Sequence, residues 1–273
     1  MTATTTPRSG RQVLAVSHSG TTSFGATTAV ALALEAARSD LTVLLVDLSP
    51  DGEATRWLQA APWEKGQDVG AILDDRYPLG WARSLSVPTR DHAGLKLLPA
   101  SSGPSREPRA GAGPQLRHAL TTADEFDVVV IDCGRIRSGA RFVAALNAAT
   151  DVIVTTSGSP GDVAEVGDIL TSVDRYQTLV GDDAGPDLVR LRGVVVGAPV
   201  RGSGPDASTV ADLAAATGWS ELALSPVVPA LPTEDGTPSS RQRPFGIWKA
   251  DSELARHYSR LAAQLIDAHP QAE

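Results

Sequence analysis

The chain has 273 residues, 42% of them hydrophobic and 21% charged, with a formal net charge of −8. That apolar fraction excludes a disordered chain, and no run approaches the ~18 uncharged apolar residues of a membrane-spanning helix. The acidic balance leaves no general footprint for nucleic acid or anionic lipid, although it permits a local basic patch.

Residues 1–10 are Thr-rich and lack an apolar h-region, so they read as a flexible N-terminus rather than a secretory signal. Val13-Leu14-Ala15-Val16 then reads as a buried strand, and Ala29 to Arg38 as an Ala- and Leu-rich helix. Further strands are expected at Leu41 to Val46, Leu95 to Leu98, Val128 to Ile131, Val152 to Val154, Leu191 to Val196 and Leu222 to Val228. Runs this uniformly apolar suit strands covered on both faces, as in a parallel sheet. Helical patterns lie between them, at Gln115–Thr122, Gly139–Ala148, Val163–Gln177, Ala207–Thr217 and Asp251–Ala268. The alternation predicts an α/β fold with one doubly wound, mostly parallel sheet flanked by helices. Two stretches rich in Pro, Gly, Ser and Arg, 100–114 and 231–246, read as mobile loops inside one domain spanning 11–268, with 269–273 as a tail. Trp57, Trp63 and Trp81 fall between the second and third strands, where they either pack an insertion against the sheet or form a partner-facing patch.

The strongest local signal follows the first strand: Ser19-Gly20-Thr21-Thr22-Ser23-Phe24-Gly25-Ala26-Thr27-Thr28. A Gly-containing turn that opens a helix aims backbone N–H groups outward, and with the helix dipole it makes an anion site. The spacing Gly20-x4-Gly25-x-Thr27 is that of the phosphate loop G-x-x-x-x-G-K-S/T, with Ala26 where the lysine stands. Thr27 keeps the hydroxyl for Mg²⁺. Only three of the 24 basic residues are lysine, Lys65, Lys96 and Lys249, so nothing before residue 65 can supply one. Asp47 and Asp132 close the second and fourth strands, where ligands collect in open α/β sheets. Each reads equally as a water-mediated Mg²⁺ ligand or as a polar strand terminus or helix cap.

Other constellations carry less. His18, His92, His118, His257 and His269 have no ligand spacing, which argues against a zinc site. His18 lines the mouth of the loop. Cys133 is the single cysteine, which fits a reducing compartment. It is either a small residue in a tight turn or a redox thiol activated by a helix N-terminus.

In order and spacing, these segments resemble the ParA/MinD family of deviant phosphate-loop ATPases. The match runs from about Gln12 to Leu265 through Asp47-Leu48-Ser49-Pro50-Asp51-Gly52, Val128-Val129-Val130-Ile131-Asp132-Cys133-Gly134, Gly193-Val194-Val195-Val196-Gly197 and a closing helix around Leu254 to Ala262. The resemblance implies a site for ATP or ADP with Mg²⁺. The nucleotide would contact Gly20, Thr21, Thr22, Ser23, Phe24, Gly25, Ala26, Thr27, Thr28, Asp47, Asp132 and Arg135, with Thr27, Asp47 and Asp132 toward the metal. It also implies that the chemistry is missing. Ala26 replaces the lysine that binds phosphates in the same subunit, and Thr21 the lysine that reaches across a dimer. Ser49 replaces the aspartate that orients water, and Gly197 the asparagine that reads adenine. Losing one fixed electrostatic stabiliser costs about 10²–10³ in rate.

Three readings stand. The first is a non-hydrolysing scaffold, positioning or partner-regulating factor, cytoplasmic, that binds nucleotide structurally or binds none. The second is an active partitioning ATPase with arginine in place of lysine, Arg135 and Arg137 being nearest and Arg201 and Arg243 further along the chain. The third is a nucleotide-independent subunit of a larger assembly. The resemblance implies a protein partner, as a homodimer or as a heterodimer with an intact family ATPase. For DNA, Arg241 and Arg243 beside the Pro-rich loop are all there is to note. Residues 269–273 form no basic amphipathic extension, which disfavours direct membrane insertion.

Overall fold

The computed structural model describes residues 11–20, 24–58, 67–74, 85–90, 92–101, 112–135, 139–184, 188–197, 207–229 and 251–266. Eight strands form one sheet: β1 (Gln12–His18), β2 (Val43–Asp47), β3 (Val87–Pro88), β4 (Leu95–Leu98), β5 (Val128–Asp132), β6 (Asp151–Thr156), β7 (Arg190–Gly197) and β8 (Ala223–Val228). Their spatial order is β3-β4-β2-β5-β1-β6-β7-β8. Every pairing is parallel except that of β3 with β4.

Uniformly apolar strands and a two-faced sheet are the same fact. In β1, Val13 and Ala15 point into one core, and Leu14 and Val16 into the other. In β5, Val129 and Ile131 join the first core, and Val128 and Val130 the second. Alternate side chains of a strand leave by opposite faces, so both sets must be apolar when both faces are covered.

One face is covered by α1 (Phe24–Arg38), α2 (Glu53–Trp57) and α8 (Glu253–Leu265). The other carries α3 (Val69–Leu73), α4 (Ala112–Thr121), α5 (Ala140–Ala148), α6 (Pro160–Ala184) and α7 (Ala207–Ala216). Helix α1 is buried nearly all round because its side chains are small: Ala26, Ala29, Ala31, Ala33, Ala36 and Ala37 are all in contact. A helix apolar on every side is a core helix. Its outer surface is closed by α8, whose buried Leu254, Ala255, Tyr258, Leu261, Ala262 and Leu265 follow the helical period. Ser252 caps α8 by accepting the Ala255 N–H at 3.0 Å. The Tyr258 hydroxyl meets Thr28 Oγ1 at 3.0 Å, giving a polar handle to an otherwise apolar seam.

Several expected boundaries change. The first helix starts at Phe24, not Ala29, so it begins inside the Gly- and Thr-rich motif. Helix α4 starts at Ala112, which removes Ala112, Gly113 and Pro114 from the expected loop; proline is tolerated in a first turn because its missing N–H has no helical partner there. Helix α6 starts at Pro160 and runs to Ala184 rather than Gln177. Helices α2 and α3 and strand β3 were not foreseen, being too short to show a period. The rest of the 100–114 loop after Ser101, all of 231–246, Trp63 and Trp81 lie outside the described residues. Trp57 is fully buried in the core beside α1, so it packs the insertion and is not a surface patch. No helix among the described residues is long and apolar enough to cross a membrane.

Candidate functional site

The centre of the sheet brings the sequence motifs to one edge. Asp47 and Asp132 are register partners on β2 and β5, and Asp132 is also opposite Val16 of β1. Two residues beyond Val16, β1 ends at His18 and the Gly-rich loop begins. The loop is stitched to β6: the Ser19 N–H and hydroxyl both donate to the Thr155 carbonyl, at 2.9 and 3.1 Å. His18 lies buried beneath the loop, with Nδ1 3.1 Å from Thr155 Oγ1. A β-carbon on Gly25 would fall 2.5 Å from His18 Cβ, so only glycine lets the helix start this close to β1. Gly20, at φ +91, faces α6. Its N–H donates to Glu165 Oε2 at 2.8 Å, and a β-carbon there would lie 2.0 Å from Asp162 Oδ1.

The two strand-end aspartates differ. Asp47 is surrounded by donors: Oδ2 accepts the Thr55 N–H at 2.8 Å and hydroxyl at 2.6 Å, and Oδ1 accepts the Ser49 N–H at 3.2 Å. Its carboxylate caps the start of α2, whose own N-cap position, Gly52, has no side chain to do so. Thr55 Oγ1 in turn accepts the Ala100 N–H at 2.9 Å, tying this turn to the end of β4. Asp132 Oδ1 accepts the Gly134 N–H at 2.9 Å, but its Oδ2 is buried and has no donor among the described residues. Burial pushes the pKa of both carboxyl groups up, and the charge of Asp47 raises that of Asp132 further. Glu53, at the start of α2, is pushed up to about 7, mainly by burial, and the charge of Arg56 opposes that rise. Gly134 (φ +61) packs on Ser49; a β-carbon there would meet Ser49 Oγ at 2.5 Å.

The other candidates are placed as follows. Phe24, Ala26, Thr27 and Thr28 are buried in the first turns of α1, and the Thr28 hydroxyl is bonded to Tyr258. The Phe24 ring lies against Gly197: a β-carbon on Gly197 would sit 2.9 Å from Phe24 Cζ. Arg135 is exposed, one residue after Gly134. Thr21, Thr22, Ser23, Arg137, Arg201, Arg241 and Arg243 lie outside the described residues. Cys133 is buried, and burial pushes its thiol well above the usual range, which opposes the redox reading.

Sequence reasoning missed His18 as the support of Gly25, Thr55 as the partner of Asp47, and Asp162 and Glu165 as neighbours of Gly20. A signal for the last pair existed: in a doubly wound sheet the loops at the carboxyl ends of adjacent strands meet, and β1 pairs with β6.

No protein-family model matches the chain, and no curated protein matches it. Solved structures do match. A cobyrinic acid a,c-diamide synthase from Mycobacterium smegmatis, with bound ATP analogue and magnesium, is 27% identical over 93% of each chain, with a TM-score of 0.66. A ParA family ATPase from Chlorobium tepidum TLS is 16% identical over 93% of this chain and 98% of its own, with a TM-score of 0.62. The MinC:MinD cell division protein complex of Aquifex aeolicus contains a chain 13% identical, over 96% of this chain and 98% of its own, with a TM-score of 0.63. The chain has the ParA/MinD-like P-loop fold: an eight-stranded, mostly parallel sheet between two helical layers.

Proposed function

We propose that this chain is a non-hydrolysing ParA/MinD-like protein, a cytoplasmic scaffold or positioning factor that works through protein partners and takes Mg-nucleotide as a structural ligand at most. The supporting observation is that the groups a nucleotide needs are engaged inside the chain or are missing. Gly20 N–H donates to Glu165, Asp47 is held by Thr55 and Ser49, and no lysine precedes residue 65. Phosphoryl transfer depends on positioning and on neutralising charge. Here two lysines and a water-orienting carboxylate of the family pattern are replaced by Thr21, Ala26 and Ser49.

Magnesium fits what remains. The donor set is all oxygen, as that ion requires. The orphaned Asp132 Oδ2 suits a metal-bound water, and Thr27 stands where the hydroxyl ligand belongs. When bound with a nucleotide, the ion would supply charge for the phosphates. Among the described residues no cluster of three His, Cys, Asp or Glu side chains is arranged to hold a metal alone. The ion would therefore arrive with phosphate oxygens.

The neighbour solved with an ATP analogue and magnesium supports nucleotide binding, and the MinC:MinD complex supports a protein partner. Phosphate release from Mg-ATP tests the reading. Wild type and Asp132→Ala are expected to release phosphate at the same background rate. Turnover in wild type that disappears in Asp132→Ala would establish the active-ATPase reading instead.

A further inference from the structure

The two carboxylates at the carboxyl edge of the sheet are held by different means. Asp47, at the end of β2, accepts three donors: the Thr55 hydroxyl at 2.6 Å and the Thr55 N–H at 2.8 Å on Oδ2, and the Ser49 N–H at 3.2 Å on Oδ1. Thr55 Oγ1 also accepts the Ala100 N–H at 2.9 Å. A threonine hydroxyl has one proton to give. With the Ala100 N–H directed at its oxygen, that proton goes to Asp47. The result is a brace from β2 through α2 to the residue two beyond β4, and Asp47, Thr55 and Ala100 are all buried. Asp132 stands outside it. Its Oδ1 accepts the Gly134 N–H, and its Oδ2 is buried without a donor among the described residues.

We propose that Thr55 is a positioning residue that commits Asp47 to this brace and leaves Asp132 as the one carboxylate of the pair open to a cation. The inference rests on the reading that the chain takes Mg-nucleotide as a ligand. A carboxylate ligates through about four lone-pair sites. Three on Asp47 are directed at donors of its own chain, two of them from Thr55. Asp132 keeps a whole oxygen for the ion or for one of its waters. The register pairing of Asp47 with Asp132 therefore does not amount to two equivalent ligands.

The test uses the full chain and two readouts. The first is amide exchange without ligand. Thr55→Val should accelerate exchange at Ala100 at least tenfold, and Thr55→Ser, which keeps the hydroxyl, should retain the wild-type rate. An Ala100 rate unchanged in Thr55→Val, or equally fast in Thr55→Ser, overturns the brace. The second is a titration with Mn-ADP, followed by the relaxation of water protons. Asp132→Asn should weaken binding at least tenfold more than Asp47→Asn does. Equal losses, or a larger loss in Asp47→Asn, overturn the assignment of the cation to Asp132. This second readout needs no Thr55 variant, so it stands if Thr55→Val folds poorly. A wild type that binds no Mn-ADP removes the nucleotide reading and with it the cation role of Asp132, while exchange at Ala100 still decides the brace.

Discussion

The two ends of this sheet treat a buried carboxylate in opposite ways. At the amino ends of the strands, Asp151 accepts from Arg190 Nε at 2.9 Å, Thr150 Oγ1 at 2.8 Å and Gln12 Nε2 at 3.2 Å, with Arg192 at 3.5 Å. At the carboxyl ends, Asp132 is equally buried, has Asp47 as its register partner and leaves one oxygen without a donor among the described residues. Burying a charge is costly unless it is paired and hydrogen-bonded. The first end is built to be stable. The second carries an arrangement that stability alone does not explain, and it lies where ligands collect in this kind of sheet.

Substitutions can break or sharpen that contrast. Asp151→Ala should have the largest effect, about 2–4 kcal/mol of lost stability in urea unfolding, because it removes the shared acceptor of Arg190, Arg192, Thr150 and the buried Gln12 amide. A loss below ~1 kcal/mol would mean that the amino-end pairing is only a surface ion pair. Gly197→Asn comes next, at about 1–3 kcal/mol, because its side chain would be driven into the Phe24 ring. Phe24→Val made with it should recover at least ~0.5 kcal/mol of coupling in a double-mutant cycle. Asp132→Asn should move stability the other way and raise the urea midpoint at neutral pH without divalent metal, since it removes a carboxyl group whose charged form is penalised by burial and by Asp47. A destabilised Asp132→Asn would show that the carboxylate has a partner after all.

The pH profile gives the smallest effect and follows from the same cause. Asp47, Glu53 and Asp132 all have folded-state pKa values raised by burial. The folded chain therefore binds protons more tightly than the unfolded one. The stability this contributes is complete below the ordinary carboxyl range and is lost as pH rises through the folded values. For Glu53 the window runs from 4.5 to about 7. Melts across it should fall in Tm with rising pH, and Glu53→Gln should flatten part of the slope, because burial is the main cause of the raised value.

Most of the sheet was legible in the sequence because covering both faces forces runs such as Val128 to Ile131 to be apolar throughout. Helix α1 was only half legible. Its first turn, Phe24 to Thr28, is the loop motif itself, and Gly and Thr there read as turn residues. The strand-end aspartates were legible as positions, since each closes an apolar run. Their unlike surroundings were not, because Thr55 reaches Asp47 only once α2 folds back, and the donors at Asp132 are set by packing that leaves no local mark in the sequence. The contact of Gly20 with Glu165 joins residues 145 apart in sequence and has no local signature.

The most direct test restores the missing chemistry at the carboxyl end. Thr21→Lys, Ala26→Lys and Ser49→Asp are made together, and phosphate release from Mg-ATP is followed beside wild type. The restored chain should turn over ATP that wild type leaves intact, at a rate at least a hundredfold above background, on the order of one fixed electrostatic stabiliser. Wild type hydrolysing ATP as fast as the restored chain would contradict the claim that this fold has kept its phosphate loop without its catalytic groups.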